Sequence, residues 1–308
     1  MLDHCTFKFG NGNWEPETEI LRIDQLLRHR LNYHKKGAKF RQPHTIPQSA
    51  RKPAGDLRLK FTFASDFEVS GAYLGIEDYD QIEIILDGVK VANERAGWWV
   101  DNDISKVPLP TIVPGKHTVE LVYQYGRLTN LERIYILGDF GVKLRGKTAK
   151  IVSLNLNEME WGDITRQELP FYTGNITYHC YFTPATFSEE TVLRVAHFAS
   201  PCIAVDIDGS RAGLIIHQPR GINLGVLRHR EYIVAFTCFG NRYNAFGALH
   251  LVPNMTNWLG GDTWRSEGDW WSEEYVLGPV GILNCPRVMK PGREKSSLPR
   301  RPRKVDTY

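Results

Sequence analysis

Eight tryptophans are unevenly spread along this 308-residue chain. Trp98 and Trp99 stand together, followed by Asp101, Asn102 and Asp103. Trp258, Trp264, Trp270 and Trp271 fall within residues 245–274, with Asp262, Arg265, Glu267 and Asp269 among them. Flat rings flanked by carboxylates, amides and guanidinium groups suit a saccharide, whose C–H faces stack on aromatic rings while its hydroxyls take hydrogen bonds. The spacing nominates Trp98, Trp99, Asp101, Trp264, Arg265, Asp269, Trp270 and Trp271 as ligand-binding candidates. The same rings have a second use, stapling a long loop to a scaffold or filling a domain interface. The sequence leaves both uses open.

Other chemistries find less support. Glu132 and Asp139 form a carboxylate pair of the kind glycoside hydrolysis needs, but an isolated pair of this sort is more often solvated or structural. No catalytic residue is nominated. Asp101 and Asp103 offer oxygens to calcium, without a complete calcium loop around them. Cys5, Cys180, Cys202, Cys238 and Cys285 are far apart, and no C-x-x-C or His-Cys cluster suggests zinc. No metal ligand set is nominated, and calcium is the one cofactor left open. There is no G-x-S-x-G elbow and no glycine-rich phosphate loop. His250, in G-A-L-H at the start of the long loop, is the histidine to watch, with a packed structural role favoured.

The composition is globular, with 42% hydrophobic and 24% charged residues and a net charge of +3. Much of the positive excess lies between Lys290 and Lys304, read as part of a basic disordered tail over residues 290–308. No basic stripe with interleaved aromatics runs through the body, so nucleic acid is not an expected partner. No apolar run approaches membrane-spanning length, so a membrane is not expected either. The start lacks a signal-peptide pattern. With Met1 as the natural start, the sequence predicts a cytoplasmic product. Cys180, Cys202 and Cys238 sit in apolar strand-like runs, where a thiol packs as a small hydrophobe.

The elements that would carry these residues are strands. Leu2–Trp14 reads as a hairpin around Gly10-Asn11-Gly12-Asn13, and Ile20–Leu31 as a short amphipathic helix. Lys35–Gly55, basic and proline-containing, reads as linker, completing a lead-in over residues 1–55. From Leu57 onward L-R-L-K-F-T-F alternates apolar and polar residues. Further strands are predicted at Ala72–Glu77, Gln81–Leu86, His117–Tyr125 and Tyr135–Leu144, with Asp87-Gly88 as a tight turn. A second series begins at Thr148–Leu156 and continues through Asn175–Phe182, Val192–Phe198, Ile203–Ile207, the turn Asp208-Gly209, and Glu231–Phe239. Short strands at such intervals indicate an all-β chain of two β-sandwich or jelly-roll domains. The first is placed at residues 56–147. The second is placed at 148–289, with the Trp-rich loop at 245–274.

One stretch occurs twice. Gly126 to Val142 (G-R-L-T-N-L-E-R-I-Y-I-L-G-D-F-G-V) is echoed by G-N-R-Y-N at Gly240 and Y-V-L-G-P-V-G-I at Tyr275. Asn130 and Asn244 each follow a strand-ending glycine by four residues, which predicts a side chain bonded to nearby backbone. Glu132 and Asp139 have no acidic counterpart in the second copy, so the doubled stretch reads as a scaffold corner. The insertion of Ala245–Glu274 is what differs.

Several motifs occur in a recognisable order: L-D-H-C-T-F-K-F at Leu2, Gln42-Pro43, G-W-W-V-D at Gly97, L-E-R-I-Y-I-L-G-D-F-G-V at Leu131 and W-G-D-I at Trp161. L-P-F-Y-T-G-N-I-T-Y at Leu169, G-N-R-Y-N-A-F-G-A-L-H at Gly240 and E-Y-V-L-G-P-V-G-I at Glu274 continue the series. Together they resemble the C-terminal β-sandwich region of large bacterial glycoside hydrolases related to α-L-rhamnosidases. The resemblance covers most of Leu2–Pro286. It implies two galactose-binding-domain-like sandwiches that follow a catalytic barrel absent from this chain, so the family's catalytic carboxylates map to no residue here. Glu168 stands where glycine is usual before L-P-F-Y, and Ala248 where proline is usual before Leu-His. The expected function is a non-catalytic, carbohydrate-associated module pair, with carbohydrate and a catalytic glycosidase domain or subunit as partners. A structural module that binds no sugar is the alternative, and a self-sufficient hydrolase is the third reading.

Overall fold

The computed structural model describes residues 1–34, 46–184, 190–252, 268–290, 293–298 and 301–307. The chain is all-β and divides into two compact units, residues 1–153 with 250–276, and residues 154–249 with 277–308.

The first unit opens with β1 (His4–Phe9), β2 (Glu15–Glu19) and helix α1 (Ile20–Arg30). It continues through β3 (Gly55–Ser65), β4 (Tyr73–Ile76), β5 (Ile82–Leu86), β6 (Val89–Lys90), β7 (Trp98–Trp99) and β8 (Asp101–Pro108). β9 (Gly115–Tyr125), β10 (Tyr135–Leu137), β11 (Gly141–Arg145) and β12 (Thr148–Val152) complete it. One sheet runs β11-β12-β3-β9-β5-β6, with the β1–β2 hairpin joined to β3, and the other runs β10-β4-β8-β7. Alternation in β3 sends Leu57, Leu59, Phe61 and Phe63 into the core, where they share a cluster with Leu74 and Ile76 of β4 and Val107 of β8. This is a sandwich.

The lead-in belongs to that sandwich rather than standing apart from it. β1 pairs antiparallel with β3, from Cys5↔Phe61 to Phe9↔Leu57. α1 buries Ile20, Leu21, Ile23 and Leu27 in the same core. Its last turn carries Arg28, fully enclosed. The Arg28 Nε bonds Asp24 at 2.8 Å, its guanidinium reaches the carbonyls of Arg127 and Thr129, and Tyr125 donates to Asp24 at 2.9 Å. The helix is thereby pinned to the Gly126 corner. β12, expected to open the second sandwich, instead closes the first by pairing with β11 and, in parallel, with β3.

The second unit holds β13 (Ile176–Phe182), β14 (Glu190–Arg194), β15 (Phe198–Ala199), β16 (Ile203–Ile207), β17 (Ser210–Ile215), β18 (Gly221–Val226) and β19 (Tyr232–Cys238). After the single turn α2 (Tyr243–Phe246) come β20 (Gly281–Ile282), β21 (Arg287–Lys290), β22 (Arg293–Ser297) and β23 (Lys304–Thr307). Its sheets run β17-β16-β19-β13-β23 and β18-β14-β21-β22, with β15 paired to β20. They enclose a separate core that includes Tyr178, Phe236, Leu193 and Val288.

The basic end, expected to be disordered, therefore contributes strands. β23 pairs with the edge of β13 from Ile176↔Thr307 to His179↔Lys304. An edge strand offers a row of unpaired peptide groups, and Val305 adds an apolar side chain that is buried. Cys180 and Cys238 are buried, and burial pushes the Cys180 thiol up to about 12.

The predicted turns hold, and so does the corner at Asn244. Asp87-Gly88 and Asp208-Gly209 have matching positive φ values, 49° and 81° against 49° and 80°. Asn244 donates to the Gly278 carbonyl at 2.8 Å and accepts its N–H at 2.9 Å, the backbone role expected of it. Asn130 instead bonds the Glu77 carboxylate at 2.7 Å. Glu168 has φ of 65°, a left-handed conformation that a glycine would adopt with less strain.

Candidate functional site

The aromatic candidates separate into exposed platforms and packed rings. Trp98 and Trp99 form β7, which hairpins onto β8 with Trp98 opposite Ser105 and an irregular register at Trp99↔Asp101. Val100 makes the turn with φ of 66°. The Trp99 ring lies 4.8 Å from that of Tyr135. Trp98 is 55% exposed. Beside it, Arg95 clamps the loop by bonding the Asn102 carbonyl and side-chain oxygen at 2.6 and 2.9 Å, and Asp101 accepts the Asp103 N–H at 3.1 Å.

Asp269 and Trp270 lie in a single 3-10 turn, Gly268–Trp270, and both are exposed. Trp271 is used differently. Its ring stacks on His250 at 4.9 Å with an interplanar angle of 21°, and the Arg22 guanidinium sits 4.5 Å over it. Its indole N–H donates to Glu273 at 3.1 Å. Trp271 thus staples the returning segment to α1. Trp264 and Arg265 lie outside the described residues. Trp98, Trp99 and Asp101 belong to a sheet hairpin, whereas Trp270 and Trp271 belong to the returning end of the long loop.

The structure also gathers a polar cluster within the first unit, around Asp3. Asp3 precedes β1, and its carbonyl accepts the Ile20 N–H at 2.7 Å at the start of α1. His4 opens β1 opposite Glu19, the last residue of β2 and the N-cap of α1. His250 and Tyr275 come from the returning segment, held by a Leu251–Trp271 bridge and the bond from Ser272 N–H to the His250 carbonyl at 2.8 Å. The Asp3 carboxylate meets His4 Nδ1 at 3.0 Å and His250 Nε2 at 3.1 Å, accepts the Tyr275 hydroxyl, and has Arg133 Nε at 3.9 Å.

Every one of these groups is removed from water, so its charge state depends on its neighbours. Burial works to raise the Asp3 carboxyl, but the hydrogen bonds from His250 and His4 outweigh it and hold the group well below the usual carboxylate range. Glu19 has weaker compensation. Burial first, then the Asp3 charge, pushes it up to about 7. One Glu19 oxygen accepts the Arg22 N–H at 3.0 Å, and the other has no hydrogen-bond partner. Burial, reinforced by Asp3, keeps the Tyr275 phenol well above its ordinary value.

A cavity of about 450 Å³ borders this cluster, lined in part by Asp3, His4, Tyr275, Glu17, Lys116 and Lys147. Lys147 spans its rim, bonding Glu17 at 2.9 Å and Glu273 at 2.8 Å.

Of this cluster, sequence reading singled out His250 alone. Asp3, His4, Arg133 and Tyr275 lie inside motifs that carried the family resemblance, and Glu19 lies in none. No local spacing joins them, because Asp3 and His250 are 247 residues apart.

No protein-family model matches the chain, and no curated protein matches it. Among solved structures, the rhamnosidase from Novosphingobium sp. PP1Y is similar over 86% of this chain and 26% of its own, at 13% identity and a TM-score of 0.29. The β-D-mannosidase from Dictyoglomus thermophilum is similar over 96% of this chain and 35% of its own, at 10% identity and a TM-score of 0.27. A lectin from Pleurotus ostreatus is similar over 63% and 69%, at 8% identity and a TM-score of 0.20. The chain thus spans about a quarter of the rhamnosidase and about a third of the mannosidase. Distant structural neighbours include glycoside hydrolases and a lectin, and the fold class rests on the chain's own strand pairings.

Proposed function

We propose that the chain is a non-catalytic, carbohydrate-associated pair of β-sandwich modules, an accessory region or fragment of a glycoside hydrolase of the rhamnosidase-related kind. The supporting observation is Trp98, a half-exposed indole on a clamped hairpin beside Asp101, Asn102 and Asp103. A rigid ring with oxygen-bearing neighbours is what C–H stacking on a sugar requires. Trp270, 52% exposed beside Asp269, is a second platform of the same type.

The test is titration of intrinsic tryptophan fluorescence with rhamnose-containing and galacto-configured oligosaccharides. Binding should appear as saturable quenching that Trp98→Ala abolishes without lowering the unfolding midpoint. A flat response across a broad glycan panel overturns the reading.

A second reading is favoured by a different observation. Leu214, Ile216 and Val226, in or beside β17 and β18, are 51%, 56% and 59% exposed. Apolar surface of this kind is what a module packed on a separate catalytic domain would present. Under that reading the isolated chain self-associates and binds no sugar. A monodisperse monomer by light scattering counts against it.

A further inference from the structure

The hydrogen bonds around His250 contain a mismatch that a metal ion resolves. His250 Nδ1 lies 2.8 Å from the Ser272 carbonyl, which can only accept, so Nδ1 carries a proton. In the neutral ring this makes Nε2 a bare lone pair. Yet Nε2 faces Asp3 Oδ2 at 3.1 Å, and an ionised carboxylate is also only an acceptor. Two acceptors at that distance require either a proton held by the ring or by the carboxyl, or a cation bound to both.

The geometry points to a divalent transition-metal site formed by Asp3, His4 and His250, with zinc as the ion whose ligand preference it fits. One ligand atom from each of the three lies within 4.8 Å of the others, and all three residues are buried. A carboxylate and two imidazoles suit zinc, which takes His nitrogen and Asp oxygen at about 2.0–2.2 Å. Closing on the ion requires the longest of these separations to shorten to about 4 Å or less, a shift within reach of imidazole rotation.

Three further features agree. The bond from His250 Nδ1 to a backbone carbonyl is the outer-shell contact that fixes the tautomer of a metal-binding histidine. The cavity lined by Asp3, His4 and Tyr275 gives an ion a path in and leaves room for water at an open position. Glu19, opposite His4 in the β1–β2 pairing, is 2% exposed and has an oxygen with no hydrogen-bond partner. Arg133 opposes a cation. Asp3, at 3.9 Å from its Nε, supplies the carboxylate that offsets it.

The experiment uses the full chain, stripped with EDTA, dialysed and titrated at pH 8 with zinc alone by calorimetry, with cobalt(II) absorption as the reporter of geometry. The expected result is one equivalent of zinc per chain, intense visible cobalt bands typical of four-coordination, and loss of both in Asp3→Asn and His250→Ala. His179→Ala, in the second unit, should bind as the parent does. Should Asp3→Asn fail to fold, His250→Gln supplies the decisive variant, and retention of the zinc equivalent there overturns the site. Absence of zinc binding by the parent chain also overturns it and leaves a proton held by His250 or by Asp3.

Discussion

In both sandwiches a strand ends at an Asp-Gly turn, and the aspartate reaches across to the same neighbour, the long strand that later ends in a corner glycine. Asp87 Oδ1 accepts the Thr118 N–H at 2.7 Å, and Asp208 Oδ1 accepts the Ile233 N–H at 2.9 Å. The return bonds, from each aspartate N–H to the carbonyl of the same partner, are both 2.9 Å. The second carboxylate oxygen is where they part. Asp87 gives it to His117, which is 5% exposed, whereas Asp208 gives it to Arg230, whose side chain is 54% exposed. The same contrast recurs elsewhere. Asp24–Arg28 and Asp3–His250 of the first sandwich are sealed from water, while His179–Asp306 and Asp206–Arg211 of the second remain wet. The backbone corner is shared scaffold, and buried charge is what the first sandwich adds to it.

Removing one partner of a buried pair should give the largest effect. Arg28→Ala leaves Asp24 enclosed without its cation and is expected to cost about 3–5 kcal/mol by urea unfolding. Arg230→Ala, at the wet corner, should leave the midpoint unchanged. Equal losses from the two would end the distinction.

The glycine corners should reverse the ranking of the two sandwiches. A Cβ on Gly240 would stand 2.1 Å from the Thr173 carbonyl oxygen and 2.3 Å from that of Gly174, both backbone atoms. On Gly126 it would meet Lys52 O and Pro53 Cα at 3.3 Å. Gly240→Ala should therefore cost about 3 kcal/mol, and Gly126→Ala clearly less, measured in the same assay.

Glu19 gives the first sandwich a pH signature in chelator. Its carboxyl moves from 4.5 to about 7 on folding, so the folded protein binds the proton more tightly. That contribution is fully present below the unfolded value of 4.5 and is lost as pH rises through about 7. Glu19→Gln should flatten the fall, with an upper figure near ~3 kcal/mol at pH 8. A parent and variant with parallel pH profiles would show that folding does not raise the Glu19 carboxyl. Smallest is the corner aspartate itself. Asp87→Ala should cost about 1–2 kcal/mol because it takes the partner from the buried His117 Nδ1 while Nε2 keeps the Val113 carbonyl, and Asp208→Ala should cost less.

Period-two patterning in β3, the turn residues Asp87-Gly88 and Asp208-Gly209, and the apolar face of Ile20–Leu31 were enough to read an all-β fold with one lead-in helix. These are local signals. Three features depended on non-local pairing and so escaped. The lead-in hairpin joins β3, β12 closes the first sandwich, and Lys304–Thr307 pairs with β13. K-V-D-T carries a single apolar residue, too little to announce a strand until the open edge of β13 is known. The aromatic candidates were legible by type but not by exposure, which separates Trp98 from Trp271. The Asp3 cluster was illegible for the same reason as the strands, since its members meet only when the chain returns after residue 249.

That return has a consequence for how the protein is made. The chain completes neither sandwich in one pass, visiting the first unit, the second, the first again and then the second. A nascent chain that has cleared the ribosome through β12 still lacks the segment that covers Asp3 and His4, and β13, once paired with β19, keeps its other edge open until residues 304–307 emerge. Closing contacts separated by 247 residues is slow compared with local hairpins. Partly synthesised chains will therefore expose polar groups and strand edges that the closed sandwiches hide.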